Sequence, residues 1–114
     1  MYGPSHPTVT IRLNNLGNVL RDLGELAAAR AALERALAIG EATYGLSHPT
    51  VAIDVNNLGS VLQDLGELAA ACTAYERAVQ IFQTSLGVEH PSTKTAQAHL
   101  DGVIQAISAS PDTA

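Results

Sequence analysis

Residues 3–44 and 45–86 are near copies of each other. GPSHPTVTIRLNNLGNVLRDLGELAAARAALERALAIGEATY is followed by GLSHPTVAIDVNNLGSVLQDLGELAAACTAYERAVQIFQTSL, with 26 of 42 aligned positions identical. A third unit opens at residue 87 with GVEHPSTKTAQAHLDGVIQAI and stops half-way. An internal period of this length argues against one closed globular core. It fits supersecondary units stacked in a row, each burying its apolar side against its neighbours. Stacks of this kind commonly bind other chains and seldom carry out chemistry.

Each copy parses as two helices. His-Pro at 6–7, 48–49 and 90–91 marks a helix start, because Pro fits the first turn, where its missing N–H is not needed. Ser5 and Ser47 precede these pairs and Thr8, Thr50 and Ser92 follow, so polar groups are at hand for the N-termini. The first helices are expected to run to about Leu23, Leu65 and Ile107. Leu13, Leu16, Leu20 and Leu23 form an apolar stripe of helical period, repeated as Val55, Leu58, Leu62 and Leu65. Asp-Leu-Gly-Glu at 22–25 and 64–67 breaks the chain, Gly24 and Gly66 taking the left-handed conformation that ends a helix. The second helix carries Leu26, Ala29, Leu33, Ala36 and Leu37, matched by Leu68, Ala71, Tyr75, Ala78 and Val79. Gly17, Ala29 and Ala36, repeated as Gly59, Ala71 and Ala78, allow close helix approach. The expected fold is an all-α solenoid of antiparallel helix pairs with five helices. The array covers 2–107, as units 3–44 and 45–86 and a half unit 87–107, before a flexible tail at 108–114.

Composition narrows the function. Hydrophobic residues make up 46% of the chain and aromatics only 4%, so alanine and leucine carry the burial. The formal net charge is −5, Lys94 is the one lysine and there is no basic run, which argues against a nucleic-acid partner. No stretch approaches the length of a membrane span, and residues 1–20 lack the basic start and apolar run of a signal peptide. Neither a membrane partner nor export is expected, and the cytoplasm is the expected location.

The spacing Leu13, Leu16-Gly17, Leu20, Gly24, then Ala29, Leu33, Ala36, resembles the tetratricopeptide repeat. Val55, Leu58-Gly59, Leu62, Gly66, Ala71, Tyr75 and Ala78 match again. The common period of that family is about 34 residues. The longer repeat here, with His-Pro before helix one and Leu-Asn-Asn-Leu-Gly within it, is similar to the kinesin light chain type. The resemblance implies a right-handed superhelix whose first helices line a concave groove for an extended peptide or a helix. The third unit departs from the pattern: Asp101 and Ser108 stand in place of glycines, and its second helix is missing. As a capping half unit it lacks an obvious polar outer surface. Met1-Tyr2 sits where Tyr44 and Leu86 close their units, so a piece of a longer solenoid is expected.

With Leu13, Leu16 and Leu20 inward, Asn14, Asn18 and Arg21 fall on a neighbouring face, with Asn56, Ser60 and Gln63, then Ala98, Gly102 and Gln105, as equivalents. Ile11 and Ile53 extend it near the helix starts. Asn14 and Asn56 present donor and acceptor together, suited to the backbone of an extended ligand. The alternative is that these repeated asparagines bond to the neighbouring unit's backbone, or are copies left by duplication. Only Arg21 is cationic on this face, which disfavours an acidic-tail ligand.

Other residues point away from chemistry. His6, His48 and His90 recur one repeat apart, about 10 Å as helices pack, too far to share a metal whose ligands lie within about 2.3 Å. A helix-start or packing role is expected for them, and no metal or cofactor. Cys72 stands alone, without a partner at catalytic spacing. There is no glycine-rich phosphate loop and no acid–base pair. The expectation is a non-catalytic scaffold that binds a protein or peptide. The alternative is a self-assembly element whose open ends stack copies into homo-oligomers or exchange helices.

Overall fold

A computed structural model of the chain describes residues 7–109. Five helices follow one another: α1 (Pro7–Asp22), α2 (Leu26–Tyr44), α3 (Pro49–Asp64), α4 (Leu68–Leu86) and α5 (Pro91–Ala109). Each packs on the next, and α1 also touches α3, giving an elongated stack of 53 × 33 × 19 Å. The all-α solenoid is therefore present. The first helices of the two full units stop at Asp22 and Asp64, one residue short of expectation, and α5 reaches Ala109, two residues beyond. The remainder of the expected tail, and His6, lie outside the described residues.

The histidines are themselves the caps. His48 precedes Pro49 with extended backbone, and its Nδ1 accepts the Thr50 N–H at 3.0 Å. His90 Nδ1 accepts the Ser92 N–H at 3.1 Å. A bare imidazole nitrogen thus does what a serine or aspartate oxygen usually does at this position. Between paired helices, Gly24 and Gly66 adopt φ of +80° and +83°, as a left-handed helix stop requires. Gly17 and Gly59 allow each pair to close: a Cβ there would lie 2.6 Å from Leu33 Cγ and 2.8 Å from Tyr75 Cε1.

Burial is uneven along the stack. The main core joins α3, α4 and α5 through Val55, Leu62, Tyr75, Val79, Phe82, Leu100 and Val103. A smaller cluster of Ala29, Leu33 and Val61 joins α2 to α3. In α3, Val51 and Val61 are fully buried toward α2. One repeat earlier the matching side of α1 is open, and Leu16, Val19 and Leu23 are 48%, 53% and 70% exposed. The leucine stripe expected to face inward along α1 is therefore split: Leu13 and Leu20 are half-buried, while Leu16 and Leu23 face outward. The reason is that no described helix covers the side of α1 corresponding to the α2-facing side of α3.

The other end corrects a second expectation. In α3, Ala52, Val55, Gly59 and Leu62 pack toward α4. The equivalent positions of α5 are Lys94, Gln97, Asp101 and Ile104. Gln97 donates to Asp101 at 3.0 Å and Lys94 pairs with Glu89 at 3.2 Å. The half unit does carry a polar outer face, broken only by Ile104.

Candidate functional site

The residues marked out by rotation, Ser60 excepted, lie on the face that α1, α3 and α5 share, and several of them are already engaged there. Asn57 donates through Nδ2 to Asn14 Oδ1 at 2.8 Å, and Arg21 Nε donates to Asp64 Oδ2 at 2.6 Å. At the next junction Asn56 Oδ1 meets His99 Nδ1 at 3.1 Å. Each of these pairs spans 43 residues, one more than the period, because each helix bonds to a neighbour advanced by one position. Asn14 pairs with Asn57 as Asn56 pairs with His99. The asparagines thus form a ladder between units, through side chains and not backbone. Burial first, and then Arg21, push the His99 pKa down, so its ring stays neutral in the ladder. The Asp64 hydrogen bond holds Arg21 in its charged form.

Ser60 turns inward. Its hydroxyl lies 3.0 Å from that of Tyr75, which donates to Gln63 Oε1 at 3.1 Å. Unit one has Leu33 where unit two has Tyr75, so Arg21, the counterpart of Gln63, has no hydroxyl to meet and reaches Asp64 instead. Ile11, Ile53, Ala98, Gly102 and Gln105 are exposed, and Asn18 is half-buried.

Two clefts lie on this face, one at each junction. The first, about 170 Å³, is lined by Thr10, Ile11, Asn14, Thr50, Ile53 and Asp54. The second, about 230 Å³, is lined by Ile53, Asn56, Phe82, Pro91, Ser92 and Thr95. Four members of the first map onto the second by a shift of one period: Ile11 to Ile53, Asn14 to Asn56, Thr50 to Ser92 and Ile53 to Thr95. The structure therefore gathers Ile11, Asn14, Ile53 and Asn56 into paired recesses. Asn18, Arg21, Gly102 and Gln105 line neither of them, and Ala98 lines a separate recess beside Lys94.

Asp54 is not among the residues that rotation marks out. Only 2% of its surface is exposed, its Oδ2 has no hydrogen-bond partner, and desolvation pushes its pKa up to about 7. A Cβ on Gly40 of α2 would sit 3.2 Å from that oxygen. A signal was present in the sequence: this position reads Arg12, Asp54 and Ala96 in the three units, one of the few places where the copies disagree in charge.

A larger cleft of about 470 Å³ lies elsewhere, between the end of α2, the 45–48 loop and α4. Its charged groups satisfy each other, Arg77 donating to Glu41 at 2.6 Å and to the Leu46 carbonyl at 3.2 Å. Burial and the nearby Glu76 both raise the Cys72 pKa, which keeps the thiol protonated.

The profile of the tetratricopeptide repeat matches residues 10–50 and again 55–92. The chain belongs to the tetratricopeptide repeat family. A search of curated proteins returned no match. Tetratricopeptide repeats generally mediate protein–protein interactions and typically serve as non-catalytic scaffolds. No described helix of this repeat protein is long and apolar enough to cross a membrane.

Proposed function

We propose that this repeat protein is a non-catalytic cytoplasmic interaction module that holds a partner's peptide across the face of α1, α3 and α5. The observation that carries the reading is the pair of period-related clefts meeting at the exposed Ile53. Successive first helices set the clefts roughly 10 Å apart. A polyproline-type strand rises about 3.1 Å per residue and repeats every third residue, so side chains i and i+3 of such a peptide reach both recesses. The scaffold is ordered before binding, so the main entropic cost falls on the ligand. Because Asn14 and Asn56 already hold the ladder, peptide recognition rests on the clefts and not on an open asparagine array.

The test is a peptide-array screen followed by Ile53→Glu. The expected result is loss of the selected peptides with helical content unchanged. Binding that survives Ile53→Glu and is lost on substituting Gln80, which lines the larger cleft, would move the site to that recess beside the 45–48 loop.

A second reading is favoured by the exposed Leu16 and Val19 of α1 and the adjoining Leu23. In α3 the corresponding side seats α2, so this surface fits an alanine- and leucine-rich helix from another molecule or a second copy. Sedimentation over a wide concentration range checks it. Association that is abolished by Val19→Lys supports the reading, and a monomer at all concentrations removes it.

A further inference from the structure

The two clefts share a lining pattern but differ at their floors. Beneath the second, Phe82 and Ala96 are buried in the main core. Beneath the first, the same two positions are Gly40 and Asp54. The exchange replaces a filled apolar floor with a bare backbone and a carboxylate. Asp54 Oδ2 is buried and makes no hydrogen bond, although Thr10, Asn14 and Thr50 stand around the same cleft. Orphaned buried acceptors are uncommon in folded proteins, and one lining a recess points to a group that arrives from outside.

We infer that the cleft at the α1–α3 junction seats a basic side chain, lysine or arginine, of the bound peptide, with the Asp54 carboxylate as its counter-ion. This rests on the groove reading above and names the chemistry of one of its two recesses. Several observations converge on a cation. Among the described residues no ion pair involves Asp54, and the groups lining its cleft are uncharged: Thr10, Ile11 and Asn14 from α1, Thr50 and Ile53 from α3. From α2 it meets Gly40, and the adjacent Glu41 is occupied by Arg77 in the cleft beside α4. A buried carboxylate without a counter-charge is costly, and an incoming ammonium or guanidinium supplies both the charge and the hydrogen bond. The bare Gly40 leaves the buried carboxylate uncrowded on the α2 side, where an alanine Cβ would lie 3.2 Å from Oδ2. The second cleft has no carboxylate at the matching position, so the preference belongs to one position of the ligand only.

The experiment uses the full chain and a library of acetylated hexapeptides, screened at pH 6 and pH 8 with the wild type and with Asp54→Asn. At pH 8 the wild type is expected to enrich arginine or lysine at a single position by about tenfold, the factor that corresponds to about 1.4 kcal/mol. Enrichment falls at pH 6, where the carboxyl holds a proton, and disappears in Asp54→Asn while preferences at the other positions persist. Peptides captured without a basic position, or with the same basic preference in Asp54→Asn, overturn the inference and leave the groove reading intact. A titration with N-acetyl-arginine amide, followed by amide NMR shifts, separates the two ideas when no peptide is captured. Shifts confined to Thr10, Asn14, Thr50 and Asp54, and absent in Asp54→Asn, support the cation seat without the groove. No shift at these residues overturns it.

Discussion

At the first junction Gly40 of α2 faces Asp54 of α3; one period later the same positions hold Phe82 of α4 and Ala96 of α5. Bulk has been traded across the interface, large against small in one case and small against medium in the other. The hydrogen-bonded rungs above are kept in register at both, Asn14 with Asn57 and Asn56 with His99. The comparison separates two jobs that a repeat interface performs. The rungs fix how far one unit is rotated and advanced past the next, and they tolerate Asn or His because either presents a polar atom at the right reach. The floor sets how much apolar surface is removed from water. The second junction is fused into the main core, whereas the first rests on a small cluster and holds an unsatisfied acid. The first junction is the weaker link and the more chemically distinctive one.

The largest way to break the contrast is to empty the second floor. Phe82→Ala should lower stability by about 3–5 kcal/mol, read from urea unfolding followed by circular dichroism. A loss below about 1 kcal/mol would mean that Phe82 does not hold the second junction together. The reverse transplant, Gly40→Phe with Asp54→Ala, should raise stability by about 1–2 kcal/mol at pH 8, since it removes an orphaned acid and adds apolar burial. A drop would show that the two floors are not interchangeable sockets.

The first floor should also respond to pH. Folding raises the Asp54 pKa from 3.8 to about 7, so the folded state holds its proton more tightly than the unfolded state does. Its contribution is fully present below the unfolded value and is lost as pH climbs toward 7. Stability should therefore fall between pH 4 and pH 7 in the wild type relative to Asp54→Asn, with parallel curves above that range. Smaller again is the ladder: Asn57→Ala should cost about 1 kcal/mol, while Asn57→His, which copies the second rung, should cost much less. Smallest is Arg21→Ala, within about 1 kcal/mol, because the pair with Asp64 is partly exposed and screened by salt.

Much of the fold was legible in the repeat. His-Pro located the helix starts, and Gly24 and Gly66 located the turns, because each acts through local backbone sterics that a sequence displays directly. The helix-start role of the histidines was legible too, whereas the ring nitrogen as the capping acceptor was not, since imidazole is an unusual acceptor at that position. The inward stripe of α1 was misplaced because apolar period shows which residues want cover, not whether a neighbour provides it. At the site, rotation put Asn14, Asn56 and the two isoleucines on one face, and the structure sets them around shared recesses. It could not foresee that the partner of a residue lies 43 positions away and not 42, because that advance depends on how whole units twist past one another. Asp54 escaped notice for a related reason. Shared positions drew attention, while the information lay where the copies disagree.

The polar side of α5 gives the stack a direction. One end of the described array offers Leu16, Val19 and Leu23; the other offers Lys94, Gln97 and Asp101. In polymer terms, the second reading makes α1 a reactive end and α5 a chain stopper. Were copies to join through the proposed α1 surface alone, the same face would be used on both molecules, a geometry that closes at a pair related by a two-fold axis and does not propagate into a filament.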